Sequence, residues 1–281
     1  MMKRHNFFRK LLLFFTGGGI ILALIFIWLT SPIDSPNNNV LSDANYYIAH
    51  ATGAIDGETY LNCQDALLQS LKNGYKYVEL DLALTTDSTL VCIHDWPNFH
   101  KRLVGDSIET PISTSDFLEK RILGRYKPLT LQQAIEIQKK HPYIIVTDKI
   151  SDTKILNREI TQNRHQVMVE AFTISDYVEL KQSGYVPMIS IWTFDYPEIF
   201  WYFIYYPLRK DIRIDWICVH TSSNMKSLRM LKRLFNCKVA MYTCNSPTFF
   251  AEHLGKEIDL VYTDNWNPKT QTNRESPDLP Q

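Results

Sequence analysis

The chain has 281 residues, 45% of them hydrophobic and 21% charged. That is enough apolar material for one large core, and close to the roughly 250 residues of an ordinary α/β barrel. Lysine plus arginine balance aspartate plus glutamate at 30 each, which excludes the basic footprint of a nucleic-acid-binding protein; no nucleic-acid partner is expected.

Residues 1–10 contain Lys3, Arg4, Arg9 and Lys10 and read as a cytoplasmic tail. Residues 11–30 are almost wholly apolar, close to the ~20 needed to cross a bilayer as a helix, and predict a transmembrane anchor. Residues 31–45, a linker rich in Pro, Asn and Ser, hold no lysine or arginine. The positive-inside rule therefore keeps the amino terminus cytoplasmic and predicts a single-pass membrane protein with the rest of the chain outside. After Thr30 the sequence reads SPIDSP, without an Ala-x-Ala site, so an uncleaved anchor is favoured over a signal peptide.

From residue 46 to residue 268 apolar runs alternate with helical stretches, at 46–49, 77–84, 90–93, 143–146, 167–172, 187–192, 216–219, 239–242 and 260–262. Continuous hydrophobic strands separated by helices predict a parallel sheet covered on both faces. About eight such units without a Gly-x-Gly-x-x-Gly turn predict a closed (β/α)8 TIM-type barrel, with the run 90–93 as a hairpin partner of 77–84. Thr130 is the expected cap of a helix whose apolar face is Leu131, Ala134, Ile135 and Ile137. Residues 269–281 form a polar tail.

The chemistry gathers in the run YVELDLALTTDSTLVCIHD, residues 77–95. At the two-residue period of a strand, Glu79 and Asp81 share one face while Val78, Leu80 and Leu82 share the other. Two carboxylates held together need a cation, and Mg2+ or Ca2+ suits their hard oxygens. Taken alone, a Glu-x-Asp pair is more often a solvated face. Its context raises its weight: His50 closes the first run and His94-Asp95 the hairpin, so imidazoles able to move protons near neutral pH flank the acids. In a barrel such residues belong at the carboxyl ends of strands.

The run IAHATGAIDG followed by YLNCQDALLQSLKNGYKYVELDLALTTDSTLVCIHD resembles the opening of the glycerophosphodiester phosphodiesterase family. The likeness continues through Pro128-Leu129-Thr130-Leu131, 143–149, 241–245 and Val261-Tyr262-Thr263-Asp264. Three departures stand out, the first being that the family's Glu-Asn-Thr reads Leu61-Asn62-Cys63. Ala51 occupies the place of the family's arginine, which removes a bidentate phosphate contact. The family's Glu-x-Lys reads Thr147-Asp148-Lys149, leaving Asp148 as the nearby acid.

The resemblance implies metal-dependent hydrolysis of a glycerophosphodiester, or of a related phospholipid-derived substrate, to an alcohol and glycerol phosphate. It implies that Glu79, Asp81 and Asp148 hold a divalent cation, Mg2+ or Ca2+, and that His50 and His94 act as general acid and base. Lys149 is a candidate phosphate ligand or else a partner for the neighbouring acids, and Trp192 and Tyr242 are candidate walls of the substrate site or else core residues. Two alternatives stay open: a phosphatidylinositol-type phospholipase C-like phosphodiesterase, and a non-catalytic barrel that kept the fold.

The aromatic run 194–207, FDYPEIFWYFIYYP, reads either as a helix packed on the barrel flank or as a lip resting on a bilayer. Of the five cysteines, Cys63, Cys92 and Cys218 read as small core residues, and Cys237 and Cys244 lie too far apart along one strand to pair.

Overall fold

The computed structural model describes residues 18–34, 39–210 and 212–271. In chain order the elements are α1 (18–30), β1 (Tyr47–Ala49), α2 (Gln64–Lys72), β2 (Tyr77–Leu84), β3 (Leu90–Cys92), α3 (Trp96–Asn98), α4 (Thr114–Glu119), α5 (Leu131–Lys140) and β4 (Ile144–Asp148). They continue as α6 (Thr153–Glu159), β5 (Val167–Ala171), α7 (Ile174–Gln182), β6 (Val186–Ile191), α8 (Tyr196–Phe200), α9 (Tyr206–Lys210) and β7 (Trp216–His220). The last are α10 (Met225–Phe235), β8 (Lys238–Tyr242), α11 (Pro247–His253), β9 (Leu260–Thr263) and α12 (Pro268–Gln271).

The strands run in the order β1-β9-β8-β7-β6-β5-β4-β2, and β1 pairs again with β2. That second pairing closes a parallel barrel, as the alternation of apolar runs and helices requires. The ninth strand, β3, folds back antiparallel on the far end of β2, with Leu82 opposite Cys92.

Two apolar layers hold the barrel. Ile48, Val146, Met168, Met188, Cys218, Ala240, Leu260 and Tyr262 fill its interior. Val78, Leu80, Val169, Ile189 and Val219, one residue out of phase with those strands' interior positions, pack outward against the helices. A satellite core of Leu61, Val91, Ile93, Trp96, Phe99 and Phe117 supports the β2–β3 extension.

Side chains of the expected kind start the helices. Ser113, Thr130, Asp152, Thr173, Asp195, Asn224 and Ser246 each accept a backbone N–H in the first turn of the following helix. Each such cap contributes on the order of 1 kcal/mol. Thr130 makes a full capping box with Gln133, and Leu131, Ala134 and Ile137 are the buried face of α5.

The aromatic run divides its faces: Phe194, Ile199 and Phe203 are buried, while Phe200, Trp201, Ile204 and Tyr205 are exposed. Among the described residues no helix is long and apolar enough to cross a membrane. Residues 11–17 of the expected anchor lie outside the described residues, as do 1–10 of the tail, 35–38 of the linker and 272–281 at the carboxyl end. All five cysteines are free, and Cys63, Cys92, Cys218 and Cys237 are buried.

Candidate active site

β1 ends at Ala49, and the next three residues turn sharply, with Ala51 at φ 47° and Thr52 at φ 71°. Gly53 follows at φ 86°, and a Cβ there would lie 2.2 Å from Ser70 Oγ on α2. The glycine is required by both conformation and space. This left-handed turn aims the Ala51 N–H at Glu79, whose Oε2 accepts it at 2.5 Å.

On the neighbouring strand Glu79 and Asp81 face the barrel interior, both almost fully buried. Asn62 grips Asp81 twice: its Nδ2 donates to Asp81 Oδ2 at 2.8 Å, and its Oδ1 accepts the Asp81 N–H at 3.1 Å. On β4, Val146 belongs to the interior layer and Asp81 pairs in register with Asp148. Side-chain alternation therefore turns Asp148 inward and Thr147 outward. Glu79, Asp81 and Asp148 offer oxygens that all lie within 4.8 Å of one another. Lys149, at φ 72°, bends its ammonium back to within 2.9 Å of Asp148 Oδ2 and 3.8 Å of Asp81 Oδ1.

The acidic cluster is electrostatically incomplete. Burial, then the charges of Asp81 and Asp148, push the Glu79 carboxyl well above its ordinary range. Glu79 Oε1 is buried without a hydrogen-bond partner. A buried orphan oxygen beside two further carboxylates is what a hard divalent cation satisfies, so these residues fit such an ion.

Each histidine carries an aspartate on the same nitrogen. His50 Nδ1 lies 2.8 Å from Asp264 Oδ1, and His94 Nδ1 lies 2.6 Å from Asp95 Oδ2. An aspartate on Nδ1 fixes the proton there and leaves Nε2 for chemistry. Asp264 is positioned in turn by Asn245, whose Nδ2 donates to its Oδ2 at 2.7 Å. Although burial opposes it, the bonds from His50 and Asn245 hold the Asp264 carboxyl below its usual value. The rings differ in setting: the His50 side chain is 14% exposed and has Tyr60 edge-on at 4.4 Å, whereas that of His94 is 41% exposed.

A single cavity of about 470 Å³ at the carboxyl ends of the strands brings His50, His94, Glu79, Asp81, Asp148, Lys149, Trp192 and Tyr242 together. Trp192, 71% exposed, stacks on His220 with ring centroids 4.8 Å apart, and Tyr242 stands edge-on to both. Glu170 lines the floor, accepting from Tyr262 Oη at 2.7 Å and Ser190 Oγ at 3.0 Å. Burial, and then Asp148, push its carboxyl up to about 7.

The sequence read alone assigns no role to Asn62, Tyr60, Thr243 or Asn245: Asn62 shows there only as the asparagine of Leu61-Asn62-Cys63, and Thr243 and Asn245 only as members of the run 241–245. Asp264 and Glu170 are visible there only as acids on barrel strands. What identifies them is their partners, which come from distant parts of the chain.

No curated protein matches the chain. Solved structures do. A phosphodiesterase from Oleispira antarctica, in complex with the product sn-glycerol-3-phosphate, aligns with a TM-score of 0.64 at 17% identity over 81% of this chain and 95% of that one. A glycerophosphoryl diester phosphodiesterase from Parabacteroides distasonis gives 0.62 at 14% identity, over 85% and 92%. A glycerophosphodiester phosphodiesterase from Thermotoga maritima gives 0.58 at 20% identity, over 81% and 97%. At these identities the likeness is one of fold. The sequence signal lies in residues 58–182, which match the model of the Glycerophosphoryl diester phosphodiesterase family and contain Glu79, Asp81, His94, Asp148 and Lys149. By that match residues 58–182 are similar to the glycerophosphoryl diester phosphodiesterase family, a family of phosphoric diester hydrolases.

Proposed function

We propose that the protein is a membrane-anchored, divalent-cation-dependent hydrolase of glycerophosphodiesters or related lipid head-group diesters. The observation that carries this reading is the meeting, in one cavity, of two imidazoles each oriented by an aspartate with a three-carboxylate cluster that has a buried orphan oxygen. The relative from Oleispira antarctica holds sn-glycerol-3-phosphate, which makes a glycerol phosphate ester the first substrate class to test.

Glu79, Asp81 and Asp148 would hold the cation, Mg2+ or Ca2+. When bound, it supplies positive charge that offsets the charge developing on the phosphoryl oxygens. Lys149, already between Asp81 and Asp148, adds a second positive group on the same side of the cavity. His50, enclosed by Tyr60 and Tyr262, is suited to take the proton from an attacking hydroxyl. His94, at the open rim, is suited to protonate the departing alcohol, which must leave to solvent. Each positioned proton transfer contributes about 10²–10⁴-fold. Trp192 and Tyr242 wall the side of the cavity across from the acids.

The apolar segment 11–30 supports the anchoring, with the amino terminus cytoplasmic and the barrel extracytoplasmic. One observation favours the second reading, a barrel that has lost catalysis. Ala51, in the place of the family's arginine, is fully buried with its N–H committed to Glu79. Assay of a glycerophosphodiester with Mg2+ or Ca2+, and again with a chelator, decides between them. Hydrolysis abolished by the chelator sustains the proposal; chelator-resistant hydrolysis points to a phospholipase C-like route, and no hydrolysis by a folded barrel to a scaffold.

A further inference from the structure

The far end of α1 is tied to the barrel at three places, and their order gives its direction. The Phe26 ring packs 6.1 Å from Tyr196, the first residue of α8. Arg229, one turn into α10, donates through Nη1 to the Thr30 carbonyl at 3.2 Å. Arg233, a further turn along, donates to the carbonyls of Ser31 at 2.9 Å and Pro32 at 3.0 Å, and also bonds the Trp28 carbonyl. Its guanidinium stands 5.2 Å over the Trp28 ring. Cations on the last carbonyls of a helix satisfy its orphan acceptors and suit its negative end, so this junction is a defined cap.

Both α8 and α10 begin at the carboxyl ends of β6 and β7, the end that carries the cavity, and Asn224 at the start of α10 bonds Asp195 at the start of α8. From Pro32 back to Phe26 the chain therefore climbs toward the mouth. Residues 18–25 continue the helix for about 12 Å at ~1.5 Å per residue, and all of them are exposed. The sequence before them, 11–15, is LLLFF. The rim carries large apolar side chains, with Trp192 71% and Phe172 47% exposed, and Phe200 and Trp201 lie exposed on the first turns of the flanking helix. Trp and Phe at such a level suit a headgroup boundary.

We propose that α1 holds the catalytic mouth against the bilayer in which the chain is anchored, so that the cavity takes diesters presented by lipid headgroups at that surface. This rests on the anchoring proposed above and adds an orientation to it. An anchor leaving from the opposite end of the barrel would turn the cavity toward bulk water.

The test uses the full chain reconstituted in vesicles of phosphatidylethanolamine and phosphatidylglycerol, with a photoreactive benzophenone amino acid replacing Phe172, Phe200 or His165. His165 is exposed in the short turn before β5, at the barrel's other end. Lipid adducts several-fold more abundant at positions 172 and 200 than at 165 are expected. Arg233→Ala should lower those adducts, and hydrolysis of a vesicle-borne diester, while leaving hydrolysis of a water-soluble diester unchanged. Adducts at position 165 equal to or above those at 172, in protein that floats with the vesicles, overturn the orientation alone. Protein that does not float overturns the anchoring and the orientation together, and hydrolysis of the soluble diester reports separately on catalysis.

Discussion

His50 and Asp264, 214 positions apart, meet at 2.8 Å because the first and last strands of the barrel are neighbours. Ala49 on β1 pairs in register with Thr263 on β9, so the residues following each strand emerge side by side at the mouth. The imidazole is thereby oriented by the closure of the barrel, and Asn245 and Thr243 at the end of β8 complete its surroundings.

Asp264→Asn should keep the fold but free the His50 ring to take the other tautomer. A fall in kcat of about 10²–10⁴-fold is expected, with KM little changed, the scale of a lost proton-transfer partner. Steady-state kinetics on a soluble glycerophosphodiester checks it. A change confined to KM would assign Asp264 to binding.

Asn62 touches the acidic cluster only through Asp81. Removing such an outer partner typically weakens cation affinity by about 10–100-fold. Titration of Asn62→Ala with Mg2+, followed by calorimetry, should give that loss and an activity that partly recovers at high cation concentration.

Stability of the cation-free protein should decrease as pH rises. The folded Glu170 carboxyl is pushed from its ordinary 4.5 up to about 7, and Glu79 is also raised. A group whose pKa is raised on folding contributes stability below its unfolded value and loses it as pH rises through the folded value. The Tm measured in a chelator should therefore fall between pH 4.5 and about 7. Saturating Mg2+ or Ca2+ should flatten the slope, because the ion balances the carboxylates once they are charged. Glu79→Gln should raise the chelated Tm at pH 7 and shrink the upward shift that the cation gives.

Gly53→Ala places a methyl 2.2 Å from Ser70 Oγ in a backbone at φ 86°. Strain at such a position is on the order of 1–3 kcal/mol, so thermal unfolding should show a clear drop in Tm. Because the same turn carries His50 and aims the Ala51 N–H at Glu79, activity should fall at temperatures where the barrel is still folded.

The amino-acid sequence by itself determined the barrel and half of the site. Periodicity did this: the runs of buried strand residues and the phase of Glu79 and Asp81 against Val78 and Leu80 are local properties, written within a few residues. His94 and Asp95 are likewise adjacent in the chain and pair with each other. Other relationships depend on which strand lies beside which. Matching the lysine of the family's motif would put Thr147 in the place of its acid; the parallel register of β2 with β4 turns Asp148 inward instead. The bonds of Asn62 to Asp81 and of Tyr262 to Glu170, and the path of α1 past Tyr196 and along α10, join segments from 19 to 205 positions apart. No pattern of neighbouring residues encodes such a contact, because it exists only after the sheet has closed on itself and fixed each strand end against the next.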